Sequence, residues 1–342
     1  MIKLAAALIL VAGQILLGCV GTQADTSAVP VSIQPNNPAL VYIGRWDTSD
    51  PISYHSYWGG AYLRTNFTGT SVSIETKTPT RLVVSVDGEF PRELDIDAGV
   101  APLTLKPLKA GNHSLLVGSD GQNYEVLFGG LVLDSGATVS APPIKPIIEY
   151  IGDSITAGDG PEDQTTVNYA WNTAEALDCD HTQIAFSDRA LTTGYGCASD
   201  KTGLDQQYFR MMDFNHSETT PWNMSTYTPA IVVVNLGQND QCGSEPPAVL
   251  GASLQSFLLK IRADYPNAKI VVLRPFSGAF GSVEQDTVRQ LMFDGDQRML
   301  FVDTSTWLTL ADFRDGIHPN GLGNLKIFSR LAPILRALLS SP

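Results

Sequence analysis

Ile147-Ile148-Glu149-Tyr150-Ile151-Gly152-Asp153-Ser154-Ile155-Thr156 decides the fold of this 342-residue chain. A short apolar run ending on Gly-Asp-Ser reads as a buried strand followed by a sharp turn. Similar apolar runs follow at 231–236, 270–273 and 300–302. Helical spacing fills the gaps. Leu250, Leu254, Phe257, Leu258, Ile261 and Tyr265 form one apolar stripe that stops at Pro266-Asn267, and 283–293 and 322–339 are two further helices. Strands alternating with helices predict an α/β unit over 147–340, a parallel sheet with helices on both faces. Ligands of such sheets sit beyond the carboxyl ends of the strands, so function is sought there.

Working backwards, Ser140-Ala141-Pro142-Pro143-Ile144-Lys145-Pro146 carries too many prolines for a central strand, and 141–146 reads as a linker. Upstream of it the period changes to two. Ser71-Val72-Ser73-Ile74-Glu75-Thr76 alternates polar and apolar, and Leu82-Val83-Val84-Ser85-Val86 stops at Asp87-Gly88, a hairpin signal. Runs at 62–67, 114–117 and 125–133 behave alike. Short strands with close turns predict a small β-sandwich over 35–140, of jelly-roll type.

Residues 1–24 read as a signal peptide: Lys3, an apolar run over 4–17, then Thr22-Gln23-Ala24 as a cleavage site before Asp25. Leu16-Leu17-Gly18-Cys19 also resembles a lipoprotein box. Sequons begin at Asn66, Asn112, Asn215 and Asn223, and with the leader they predict a secreted, extracellular protein, soluble once mature. Cys179, Cys197 and Cys242 then remain. They allow one bridge, and Cys197–Cys242 is expected because both follow segments assigned to the site. No Cys or His pair has ligand spacing, so neither metal nor cofactor is expected. The net charge is −13, with no clustered Lys or Arg. That excludes nucleic acid and an anionic membrane as partners and fits a neutral substrate.

Three strand-end segments belong together. Gly152-Asp153-Ser154 places an exposed hydroxyl near a helix start. Gly237-Gln238-Asn239-Asp240 follows the most apolar run, and the Asn239 amide can donate to an oxyanion. Asp315-Gly316-Ile317-His318 supplies a base and, three residues earlier, a carboxylate to orient it. Jointly they provide every part needed for acyl transfer.

These segments resemble blocks I, III and V of the SGNH (GDSL-type) hydrolase family; the Gly-x-Ser-x-Gly elbow of α/β-hydrolases is absent. With the sandwich in front and Tyr42-Ile43-Gly44-Arg45 within it, the whole chain resembles carbohydrate esterase family 2. The resemblance implies an esterase that removes O-acetyl groups from plant cell-wall polysaccharides such as acetylated xylan or glucomannan. It implies Ser154 as nucleophile, His318 as base, Asp315 as triad acid and Asn239 as oxyanion donor, although some members manage with a Ser-His pair. Asp188, in Ala185-Phe186-Ser187-Asp188-Arg189, stands where block II has the Gly whose N–H completes the oxyanion hole. Gly194 and Gly196 are alternative donors.

Trp307, close to the His318 loop, and Tyr195 are the first candidates to bind sugar, with Trp222 and Trp58 behind them. Two other functions remain open: a non-catalytic sugar-binding protein, and an SGNH enzyme acting on lipids or thioesters. No extended apolar lid is visible, which favours short acyl groups.

Overall fold

The structure, a computed structural model, describes residues 29–158 and 165–341. The expected leader and Cys19 lie outside the described residues. The first half is the expected antiparallel β-sandwich. Its strands are β1 (Val31–Ile33), β2 (Val41–Ile43), β3 (Trp46–Asp47), β4 (Tyr54–Ser56), β5 (Tyr62–Gly69), β6 (Val72–Thr76), β7 (Thr80–Val86), β8 (Arg92–Ile96), β9 (Gly99–Pro102), β10 (Gly111–Ser119), β11 (Val126–Leu133) and β12 (Val139–Ser140). One six-stranded sheet runs β3-β4-β11-β6-β9 with β1 on β11; the other runs β12-β5-β10-β7-β8 with β2 on β5. Alternate residues turn inward, as in β6, where Val72, Ile74 and Thr76 are buried and Ser73 and Glu75 are not. Leu63, Phe67, Leu82, Val84, Phe128 and Leu131 fill the space between the sheets.

The second half is the expected α/β unit. Its strands are β13 (Ile147–Gly152), β14 (Asp180–Ala185), β15 (Ile231–Asn235), β16 (Lys269–Leu273) and β17 (Met299–Val302). The helices are α1 (Ser154–Ala157), α2 (Tyr169–Ala176), α3 (Leu204–Gln207), α4 (Gln238–Cys242), α5 (Pro247–Asp264), α6 (Gly281–Phe293) and α7 (Gly321–Ser340). The five strands are parallel in the order β14-β13-β15-β16-β17. Val232 and Val234 pack against Leu254, Phe257, Leu258 and Val288 of α5 and α6. Ile231 and Val233 face Ala170, Ala174, Ile327 and Leu331 of α2 and α7. Both faces are therefore covered, which is why β15 reads as an unbroken apolar run.

Strand order reverses between β13 and β15, where Gly152 lies beside Asn235. Ligands of such sheets bind beyond the strand ends at a reversal of this kind.

The strand hidden from sequence pattern is β14. Its polar Asp180-His181-Thr182-Gln183 stretch is wholly buried at the sheet edge. The sandwich covers it: Tyr62 donates to Asp180 Oδ1 at 3.0 Å and Arg64 to Oδ2 at 2.6 Å. Within the α/β unit, Thr182 donates to Glu149 at 3.1 Å and Gln183 to the Thr156 carbonyl at 2.9 Å. Burial next to another domain replaces the apolar surface that periodicity looks for, and it blocks an open sheet edge.

Candidate active site

Gly152 ends β13 with no room for a side chain. A Cβ there would lie 2.1 Å from Thr156 Oγ1 and 3.0 Å from the Asn235 carbonyl. The requirement is thus close packing rather than an unusual turn. Asp153 caps α1, accepting from the Ile155 N–H at 3.1 Å. Its burial, with the Asp240 charge nearby, pushes its carboxyl up to about 7 against the pull of that bond and of His318. Ser154 is the first helical residue, 6% exposed.

The partner comes from the turn before α7. Phe313 bridges to Pro319, and the Arg314 N–H donates to the His318 carbonyl at 2.8 Å, closing the loop. Gly316, at φ 88°, makes the turn. Asp315 Oδ1 accepts from the Ile317 and His318 N–H groups at 3.0 and 2.9 Å, and Oδ2 meets His318 Nδ1 at 2.8 Å. His318 Nε2 lies 2.8 Å from Ser154 Oγ. Burial opposes the charge on Asp315, but these N–H donors and the His318 ring outweigh it and hold the carboxyl well below its usual range. An ionised carboxylate only accepts, so Nδ1 carries the proton and Nε2 is free to accept from the serine. Hydroxyl, imidazole and carboxylate in this order can generate an alkoxide-like nucleophile near neutral pH.

The facing wall joins α4 to the segment after β14. Asn239, 6% exposed, donates to the Arg189 carbonyl at 3.2 Å, which leaves one amide proton of its NH2 group. Asp240 accepts from the Leu191 and Thr192 N–H groups, both at 3.0 Å. Gly237, at φ 118°, starts the helix that presents both. The sequence pattern did not single out Asp240; only its burial in the fold gives it this grip.

Asp188 has φ 62°, the left-handed region where glycine is usual and Asp is among the better tolerated alternatives. Its side chain is exposed. Arg189 does not neutralise it: that guanidinium pairs with Asp200 at 2.9 Å and lies 4.2 Å from the Phe214 ring centre. The Gly194 N–H donates to the Lys201 carbonyl at 2.8 Å, so it is already engaged. Gly196 packs against Ala190. Between the two stands half-buried Tyr195, beside the Cys197–Cys242 disulfide, whose Cα atoms are 5.7 Å apart. That bridge is the expected pairing. It ties the loop to the end of α4.

The tryptophans serve packing. Trp307 is 8% exposed and sits in the core with Phe276 and Ile327, so protein covers the faces that a sugar would need. Its nearness to His318 in sequence does not place it in the crevice. Trp58 and Trp222 flank the Arg45 guanidinium at 5.5 and 5.6 Å, at the junction of the two halves.

Residues 150–326, just over half of the chain, match the GDSL-like Lipase/Acylhydrolase family. The chain belongs to that family. Residues 42–143 match the Carbohydrate esterase 2 N-terminal model, so both halves fit the architecture of family 2 carbohydrate esterases. Cellulase/esterase CelE of Acetivibrio thermocellus is 29% identical over 310 residues, 83% of this chain and 38% of CelE. An acetylxylan esterase / glucomannan deacetylase of Cellvibrio japonicus is 25% identical over 211 residues, 56% of this chain and 57% of that protein. The chain thus spans less than two thirds of the length of either relative. A family two carbohydrate esterase from Clostridium thermocellum in complex with cellohexaose superposes with TM-score 0.77 at 26% identity, covering 88% of this chain and 99% of the other.

Proposed function

We propose that this chain is a secreted serine esterase that removes acetyl groups from hydroxyls of plant cell-wall polysaccharides through an acetyl-enzyme. The carrying observation is the line Ser154 Oγ–His318 Nε2–Asp315, with both contacts at 2.8 Å. His318 takes the Ser154 proton as Oγ attacks the acetyl carbonyl. The tetrahedral oxyanion is met by the remaining Asn239 amide proton and by the backbone N–H groups of Ser154 and Asp188. His318 then protonates the departing sugar oxygen, and water, activated by the same base, releases acetate. Asp315 stabilises the imidazolium in both half-reactions.

The polysaccharide substrate rests on the relatives: a glucomannan and xylan deacetylase, and an esterase that holds cellohexaose. Secretion rests on the leader-like residues 1–24; no helix among the described residues is long and apolar enough to cross a membrane. A panel of acetylated xylan, acetylated glucomannan and aryl esters of increasing chain length tests the reading. Acetyl esters should be turned over fastest, and preference for acyl chains beyond butyryl would contradict it.

A further inference from the structure

A polar cluster between the sandwich and the loop that follows α3 joins four residues that the chemistry at Ser154 does not use. His55 lies on β4 and Glu125 directly before β11; Asp213 and His216 lie on the loop. Glu125 bridges the two imidazoles: Oε2 is 2.8 Å from His55 Nε2, and Oε1 is 2.6 Å from His216 Nε2. Asp213 Oδ1 stands 3.9 Å from the same His216 nitrogen, and its side chain is 0% exposed. One ligand atom each from Glu125, Asp213 and His216 falls within 4.8 Å of the others.

We infer that Glu125, Asp213, His216 and His55 form a divalent-cation site, best suited to Zn²⁺, that fastens the two halves together. Three observations point this way. First, two carboxylates converge, one of them fully buried, and no Lys or Arg pairs with either among the described residues. A buried carboxylate without a cation is costly, and a divalent ion answers two at once. Second, two imidazoles with two carboxylates make a nitrogen–oxygen donor set that suits zinc. Third, Tyr57 fixes both rings, with His55 at 4.0 Å and His216 edge-on at 4.8 Å, so the nitrogens are held in place before an ion arrives. Tetrahedral zinc keeps neighbouring ligand atoms about 3.3 Å apart. The present separations of 2.6 and 3.9 Å lie on either side of that. Sequence spacing could not show the site, because its ligands come from both halves of the chain.

The test uses the full chain, stripped with EDTA and titrated with ZnCl2 by calorimetry, with thermal melts alongside. One zinc should bind per chain and raise the melting temperature. Affinity should fall at least tenfold in His216→Gln and in Asp213→Asn, and stay unchanged in His318→Ala, which removes an imidazole paired to a carboxylate away from the cluster. Co²⁺ in the wild type should give the strong visible absorption of a four-coordinate nitrogen–oxygen site, a readout that needs no variant to fold. Absence of stoichiometric zinc binding, binding that survives in both variants, or binding lost with His318 would overturn the inference.

Discussion

Gln122 of the sandwich and Ser187 of the segment after β14 exchange two hydrogen bonds: the Ser187 N–H donates to Gln122 Oε1 and the Gln122 amide to Ser187 Oγ, both at 2.7 Å. Ser187 directly precedes Asp188. The N-terminal domain thereby reaches into the position of a proposed oxyanion donor. Gln122→Ala should lower kcat by about one to two orders of magnitude, since small misplacements near reacting groups cost that much. Stability should fall by only about 1–2 kcal/mol. Steady-state kinetics beside a thermal melt checks both. Unchanged kcat with a lowered melting temperature would reduce the contact to a structural one.

Asp188 holds the left-handed conformation at φ 62° without being glycine. An ordinary residue pays about 1–2 kcal/mol there. Asp188→Ala should therefore lose about 1 kcal/mol relative to Asp188→Gly, reversing the usual order of these residues. Asp188→Gly and Asp188→Asn should keep at least wild-type activity, because the backbone N–H remains and a carboxylate is removed. Denaturant titration of the three variants decides the stability order.

Asn239 and Asp315 answer opposite charges that form together in the proposed cycle. Asn239→Ala should cut kcat by about 10²–10³ with little change in KM, the signature of a donor that matters most in the transition state. Asp315→Ala should also act on kcat, but less than His318→Ala, since the base keeps its contact to Ser154. If Asn239→Ala raised KM alone, the amide would be a substrate-binding group instead.

Glu245 is buried beside Asp240. Burial, then that neighbour, pushes its carboxyl well above the usual range. The folded chain thus keeps a proton that the unfolded chain releases near pH 4.5. The stability contributed by this group is fully present below about pH 4.5 and is lost as pH rises through the raised folded value. Melting temperature should fall between about pH 4.5 and neutrality and beyond, and Glu245→Gln should flatten the fall. Parallel curves for the two proteins would remove Glu245 as the cause.

Much of the fold was legible because its strands obey simple patterns. β6 alternates, β15 is unbroken apolar, and α5 carries one stripe. β14 was not legible, because Asp180 and its neighbours are satisfied by Tyr62 and Arg64 of another domain. The catalytic candidates were legible where local sequence builds the geometry. Asp315 shapes its own turn and the His318 ring within four residues. Contacts such as Gln122 with Ser187, or Asp240 with Leu191 and Thr192, join distant segments and leave no local mark. Trp307 shows the converse: it is near His318 in sequence, yet its ring is spent on the core.

Ser154, paired with His318 at 2.8 Å, is the proposed nucleophile of a deacetylase. The direct measurement is acetate release from acetylated xylan and from an aryl acetate by wild type and Ser154→Ala. Release by the wild type, reduced by about three orders of magnitude or more in the variant, is the predicted result. Undiminished release by a correctly folded Ser154→Ala chain would contradict it.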